Sequence, residues 1–194
     1  MQETKVITAN SIESVWQQMD TDFSYSPELF EYDAIIYHNQ KAINLTIDID
    51  LCGGFEGGYA FTNFISELEC DDTFRLCINH QHFMDRNGEF YDLNEVVSGY
   101  QDFDNKLVCK TNDIDRFREL IADESTREVL KMLPNFHFFI SRHTSDYTQL
   151  ECSFLELKIN GEIVEPNELR KVYDAYARIV DIIEDQGSSV LRFL

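Results

Sequence analysis

The pattern of apolar and polar positions changes its period along the chain, and each period predicts a different element. Along residues 43–51 apolar side chains occupy every second position, which predicts a strand with one dry and one wet face. Between Ile12 and Met19 the apolar positions recur at helical spacing. Asn10 and Glu13 suit a capping box at the start of this helix.

The stretch 103–133 predicts one strand followed by two short helices. Phe103, Leu107 and Cys109 share one face at strand spacing, and helical spacing of the apolar positions starts at Ile114. The change of period from two to 3.6 residues within a few positions therefore marks a strand that leads directly into a helix.

Polar residues and one proline indicate where the later helices begin. The hinge 111–113 supplies side-chain oxygens that can cap the first short helix, and Ser125 with Glu128 matches a capping box for the second. Pro166 stands at the first position of a long C-terminal helix. The apolar stripe of that helix consists of Leu169, Val172, Tyr173, Tyr176, Ile179, Val180 and Ile183.

These elements together predict an α+β protein. Further strands are predicted at residues 34–37, 74–82, 136–143 and 150–159. We expect an antiparallel β-sheet in both halves of the chain, packed against helices on one side, with the long C-terminal helix among them. Residues 1–194 are expected to form a single domain, and the irregular stretch 86–101 is the one place where a subdivision could lie.

Composition and charge narrow the class of protein. The 194 residues are 43% hydrophobic and include 15 Phe and 9 Tyr, which predicts a globular chain. The net charge of -20 makes nucleic acid and anionic membranes poor partners, because phosphates are bound by clustered Lys and Arg. Five cysteines without a C-x-x-C pair, and a start without a signal peptide, predict reduced thiols and a cytoplasmic protein.

The best metal candidate in the sequence is the pair His80 and His82, with Asp85 as a third ligand. Two residues apart on a strand, the histidines point the same way, but they also prolong an apolar face. Histidines in such a position are usually half-buried without a metal, so we expect no metal site and no cofactor. We also assign no catalytic residue, since the sequence contains no G-x-S-x-G elbow and Cys109 lies on an apolar face.

Short motifs give the chain a resemblance to a bacterial protein family of unknown function. The strand that ends in His82-Phe83-Met84-Asp85 is followed by Phe103-Asp104, by Lys110-Thr111-Asn112-Asp113 at the entrance to a helix, and by a long C-terminal helix. This order resembles the order of elements in that family. The resemblance implies a shared architecture and supplies no activity.

Three hypotheses about function follow. The first is a non-enzymatic cytoplasmic module that binds a protein partner or forms a homo-oligomer, because the chain is rich in aromatic residues and lacks recognisable catalytic groups. The second is a binder of small apolar ligands, since the order of elements is similar to that of the helix-grip fold. The third is a metal-dependent enzyme that uses His80 and His82.

Overall fold

The described residues form a nine-stranded sheet with five helices packed against one of its faces. The structure is a computed structural model, and it describes residues 4–25, 31–38, 41–51, 58–68, 73–80, 90, 92–144 and 151–190. The strands are β1 (Lys5–Ala9), β2 (Glu31–His38), β3 (Lys41–Asp50), β4 (Tyr59–Leu68), β5 (Leu76–His80), β6 (Glu95–Val96), β7 (Leu107–Thr111), β8 (Phe136–Thr144) and β9 (Glu151–Asn160). The helices are α1 (Ile12–Tyr25), α2 (Gln101–Asp104), α3 (Ile114–Leu120), α4 (Glu124–Met132) and α5 (Pro166–Val190).

The order of strands across the sheet is β1-β2-β3-β4-β9-β8-β5-β7-β6. β1 pairs with β2 in parallel, and the other neighbours in the sheet pair antiparallel. The strands β1 to β4 lie together on one side of the sheet and β5 to β9 on the other, with the β4–β9 pairing between them. The predicted α+β class, with antiparallel strands in both halves and a long C-terminal helix, is confirmed.

A continuous row of apolar side chains crosses the inner face of the sheet, which is the face that carries the helices. Each member of this inner row is the cross-strand partner of the next, so the row follows directly from the register. Its members are Ala34, Leu45, Phe64, Leu157, Phe138, Ile78 and Cys109, all of them buried. The apolar face predicted for β3 is therefore one part of an apolar layer that crosses the strands from β2 to β7.

Helix α5 packs its predicted stripe onto this row. All seven stripe residues are buried, as predicted. The Tyr176 ring lies 5.3 Å from the Phe64 ring and 6.1 Å from the Phe138 ring, between centroids. Its hydroxyl donates a hydrogen bond of 2.7 Å to the backbone oxygen of Leu155. Burial of so large an aromatic side chain with its polar end paired is a strong stabilising contact.

Strand β1, at one edge of the sheet, was not predicted from the sequence. Its Lys5 side chain points towards the helices and forms an ion pair of 2.7 Å with Asp22 of α1. Gln18, also on α1, donates a hydrogen bond of 3.4 Å to the backbone oxygen of Thr8. Helix α1, which follows β1 in the chain, is therefore bound to this edge strand through both side chains. At the opposite edge β6 contains only two residues, Glu95–Val96.

The predicted strand through Phe103 is shorter than expected. Phe103 belongs to the four-residue helix α2, and β7 begins only at Leu107. Phe103 is nevertheless buried in the same core as Leu107 and Cys109. The prediction of a strand at Phe103 was wrong because one turn of helix places an apolar residue towards the core as well as a strand does.

One of the predicted caps for the short helices is confirmed and one is wrong. Asp113, in the predicted hinge, accepts hydrogen bonds from the backbone N–H of Asp115 and of Arg116 at the start of α3. The start of α4 is capped by Asp123, which accepts from the backbone N–H of Thr126. The proposed Ser125–Glu128 box does not form, because the N-cap is Asp123, two residues before the position that this pair requires.

The predicted cap of α1 is also displaced by one residue. Ser11, rather than Asn10, accepts a hydrogen bond of 3.2 Å through its hydroxyl from the backbone N–H of Ser14. Its backbone oxygen accepts from the N–H of Val15. Asn10 and Glu13 therefore do not form the capping box that their spacing suggested.

No helix within the part of the chain that the structure describes is long and apolar enough to cross a membrane.

We expect Tyr176→Ala to lower the free energy of unfolding by ~3–5 kcal/mol, because the substitution leaves a large cavity over the inner row. Tyr176→Phe keeps the ring and removes only the hydrogen bond to Leu155, so it should cost ~0.5–1.5 kcal/mol. Lys171→Ala on the exposed side of α5 is the matched control, and it should change the value by less than ~0.5 kcal/mol. Chemical denaturation of the three variants measures these differences, and equal values for all three would contradict the packing described.

The cap of α4 predicts a pH-dependent contribution to stability. Hydrogen bonds from Ser125 and Thr126, together with the charge of Arg178, lower the pKa of Asp123 from 3.8 to about 2. Because the pKa is lower in the folded state, the contribution of this carboxylate is fully present above about pH 4 and is lost as the pH falls to about 2.

We therefore expect the wild-type chain to be more stable than the Asp123→Asn variant at neutral pH, since asparagine caps the helix without a charge. The difference should shrink as the pH falls from about 4 towards 2. Asp123→Ala removes the cap itself and should cost ~1 kcal/mol even at low pH. Denaturation curves over this pH range decide the matter, and a constant difference between wild type and Asp123→Asn would rule out the linkage.

Candidate functional site

The structure places His80 on the inner face of β5, among the core residues. Its Nε2 atom lies 2.8 Å from the backbone oxygen of Leu133, and its ring meets the Phe136 ring edge-on at 5.4 Å. A carbonyl oxygen only accepts, so Nε2 carries the proton and only Nδ1 could bind an ion. His82 and Asp85 lie outside the described residues, and the prediction about a metal at these three residues stays a prediction.

Within the described ranges, no three His, Cys, Asp or Glu side chains are close enough together to hold a metal ion. Strand β8 carries two further histidines, and both are on the outer face, which is the face opposite to the helices. His137 contacts Cys77, and His143 contacts Glu156. Each histidine therefore belongs to a different group of side chains.

A buried carboxylate lies in the middle of the outer face. The Glu156 side chain is only 6% exposed and accepts hydrogen bonds from the Ser141 hydroxyl and from the Lys158 ammonium group at 2.8 Å. The Nε2 atom of His143 lies 3.4 Å from its Oε1 atom. We call these four residues the Glu156 cluster.

The Glu156 cluster keeps its central carboxylate charged. Burial opposes ionisation, but hydrogen bonds from Lys158 and Ser141 outweigh it and hold the pKa of Glu156 below its usual range. A buried carboxylate with three polar neighbours is a rigid anchor in the sheet.

Cys152, the cross-strand partner of His143, lies beside this cluster. A hydrogen bond to Glu67 raises the pKa of the Cys152 thiol, which opposes a role as a nucleophile.

Strands β1 to β4 and the adjacent strand β9 present apolar side chains on the outer face. Val6 is 65% exposed and Tyr59 is 53% exposed, while the Tyr59 and Phe61 rings lie nearly parallel with centroids 6.1 Å apart. Half-exposed and exposed apolar residues of this part of the face are Val6, Ile35, Tyr37, Tyr59, Phe61, Ile65 and Phe154. The described helices all pack on the other side of the sheet, so none of them covers these residues.

Carboxylates lie among these apolar side chains. Glu31 of β2 and Asp48 of β3 are direct cross-strand partners, with Asp33 and Asp50 on the same face. The Tyr59 hydroxyl donates a hydrogen bond of 3.2 Å to Asp48, which raises the pKa of that phenol. Glu31, Asp33 and Asp48 form no ion pair with any residue that the structure describes. We call the seven apolar residues and these four carboxylates the open face.

Comparison with known proteins adds little to this geometry. No protein-family model matches the chain, and no curated protein matches it. A solved structure that matches in part is the crystal structure of the mycobacterial trehalose monomycolate transport factor A, TtfA, with a TM-score of 0.34 and 11% sequence identity over 76% of this chain and 73% of that chain. A similarity of this size carries no argument about function.

We expect Glu156→Gln to destabilise the protein by ~1–3 kcal/mol, because the Lys158 ammonium group and the Ser141 hydroxyl lose a charged acceptor in a buried position. Glu67→Gln is the matched control, since Glu67 is exposed on the neighbouring strand of the same face and should change stability by less than ~0.5 kcal/mol. Denaturation of both variants is the measurement. Equal effects would mean that the Glu156 cluster contributes no more than a surface charge.

Proposed function

We propose that the chain is a protein-interaction module whose open face binds a basic polypeptide. The observation that supports this proposal is the combination of exposed aromatic side chains with the carboxylates of Glu31, Asp33 and Asp48. These three form no ion pair with any described residue, and the surface on which they lie is not covered by any described helix. Neither feature alone would be unusual. Together they provide an apolar contact area and a charge to which a partner can be complementary.

The apolar part of the open face supports a binding role through its composition. Tyrosine and phenylalanine are enriched in protein interfaces, since they bury a large area at a low cost in conformational entropy. Tyr59 and Tyr37 are exposed, while Phe61 and Ile65 are half-buried between them and the Glu156 cluster. A partner that covered this area would remove apolar surface from water at about 25 cal/mol per Å².

The charged part of the open face supports a partner that carries positive charge. Like charges that are direct partners across two strands, as Glu31 and Asp48 are, destabilise a sheet. A Lys or Arg side chain from a partner would relieve this repulsion, and the net charge of -20 would steer a basic polypeptide towards the surface. The open face therefore fits a partner with a positive charge.

The same charges argue against a homo-oligomer formed through this face. Two copies that met at their open faces would bring Glu31, Asp33 and Asp48 of each copy towards the same carboxylates of the other. Juxtaposed like charges suppress association. A different polypeptide is the better partner.

A small-ligand binder of the helix-grip type has less support. The gap between α4, α5 and the sheet, bounded by Leu130, Phe138 and Tyr176 among others, is too small to admit a water molecule. A groove of about 880 Å³ between β1 and α1 is open, and polar side chains such as Gln17 and Gln18 contribute to its lining. An apolar ligand binds best in an enclosed apolar cavity, and neither space provides one.

A selection from a random peptide library tests the proposal without a known partner. We expect the selected peptides to combine Lys or Arg with aromatic or aliphatic residues and to bind more weakly as the salt concentration rises. The double variant Glu31→Lys/Asp48→Lys should reduce their affinity by about tenfold or more, since each lost charge contact is worth ~1 kcal/mol. Asp185→Lys, on the exposed side of α5, is the control for a change of charge elsewhere.

The apolar contact has its own pair of variants. Tyr59→Ala should weaken binding by about tenfold, as interface tyrosines often do. Met132→Ala is the control, because Met132 is even more exposed than Tyr59 but lies on α4. Selected peptides that are neutral or acidic, or binding that the Asp185 and Met132 variants weaken as much as the open-face variants do, would refute the proposal.

A further inference from the structure

A cysteine and a histidine contact each other on the outer face of the sheet. They lie on β5 and β8, which contribute no residue to the open face. The Sγ atom of Cys77 on β5 lies 3.2 Å from the Nε2 atom of His137 on β8. The side-chain amide of Asn79 donates a second hydrogen bond to the same sulfur at 3.7 Å. Cys77 is only 2% exposed, and Asn79 is buried as well. The sulfur therefore has two nitrogen neighbours in a position from which most water is excluded.

Aromatic side chains fix the orientation of the histidine. The His137 ring stacks on the Phe139 ring with centroids 4.2 Å apart, and the Phe90 ring meets it edge-on at 5.8 Å. Cys77, Phe90, Leu93 and Phe139 form a small buried cluster that is separate from the main core. Because the ring is held on two sides, its Nε2 atom stays directed at the sulfur.

Among the described residues, charged side chains of both signs lie near Cys77 and His137. Lys110 of β7 is the cross-strand partner of Cys77, and Lys158 of β9 is the partner of His137. Two carboxylates also belong to this region. Glu95 is the partner of Lys110 and Glu156 is the partner of Phe139, but Glu156 already accepts hydrogen bonds from Lys158 and Ser141. Among these described side chains the two lysines therefore balance the two carboxylates, whereas the whole chain has a net charge of -20.

Cys109 provides a contrast within the same molecule. It lies on the inner face of β7 in the main core, and burial raises the pKa of its thiol. A cysteine without a hydrogen-bonding base behaves as a small apolar side chain. A cysteine paired with an imidazole is the arrangement that activates a thiol as a nucleophile.

We propose that Cys77 and His137 form a thiolate–imidazolium pair and that Cys77 is a site of oxidation by hydroperoxides. The thiolate attacks one oxygen of hydrogen peroxide, so that an S–O bond forms and the O–O bond breaks. The departing hydroxide takes the proton of the His137 imidazolium and leaves as water. The sulfur is oxidised to a sulfenic acid, the peroxide is reduced, and the imidazole becomes neutral. Hydrogen peroxide is small and uncharged, which suits a sulfur that is almost fully buried.

The charge state of the pair can be measured in the wild-type protein. We expect the His137 ring to remain an imidazolium at about pH 7, and nuclear magnetic resonance of the ring nitrogens detects this directly. The ultraviolet absorbance of the thiolate, taken as the difference between wild type and Cys77→Ser, should titrate more than about one pH unit below the usual cysteine value of about 8.5. In His137→Gln the titration should move up to that value or beyond it. A neutral His137 ring at about pH 7 in the wild type would overturn the proposal whether or not the variants fold.

The oxidation itself has a separate readout. Wild-type protein is exposed to hydrogen peroxide in the presence of dimedone, which labels sulfenic acids, and the labelled peptides are measured by mass spectrometry. Label at Cys77 should exceed label at Cys109 by about tenfold or more, since one unit of pKa changes the thiolate fraction by that factor. His137→Gln should abolish this preference. Equal labelling of Cys77 and Cys109 in the wild type would overturn the proposal.

Discussion

The pairing of β4 with β9 is the interaction on which the rest of the described sheet depends, because it joins the strands before residue 69 to those after residue 75. It aligns Phe64 with Leu157 on the inner face and Ile65 with Glu156 on the outer face. Side chains alternate along a strand, so a slip of one residue would move Glu156 into the core and Leu157 out of it. The inner row, the packing of α5 and the Glu156 cluster therefore share one register. Because the two strands are distant in sequence, forming this pairing closes a long loop.

Those parts of the fold that depend on local pattern were predictable from the sequence. The stripe of α5 and the alternation of β3 were both recognised, since periodicity reports directly which side of an element is buried. Asp113 was recognised as part of a cap because it lies in the polar hinge directly before the helical pattern begins. The errors concern signals that several residues give equally well. Ser125 and Asp123 are both good caps, and β1 has only five residues at the edge of the sheet, too few for a clear period.

The candidate sites were not predictable, because each of them depends on the order of strands. Cys77 and His137 are 60 residues apart and meet only because β5 lies between β7 and β8. Glu156 could not be distinguished by sequence from the other acidic residues of a strongly acidic chain, and only its burial beside Lys158 identifies it. The sequence predicted only that one face of β3 would be wet. The structure instead places it between apolar side chains from β2 and β4, and the open face results from that juxtaposition.

The two edges of the described sheet have a further consequence for the behaviour of the protein at high concentration. An edge strand with free backbone groups is a template for stacking chains into fibrils. On β1 the inward-pointing charge of Lys5 and the Gln18 bond to Thr8 obstruct the docking of another strand, and β6 is too short to template one. Repulsion between chains of net charge -20 acts in the same direction. Both edges of the described sheet therefore carry features that oppose the stacking of chains through them.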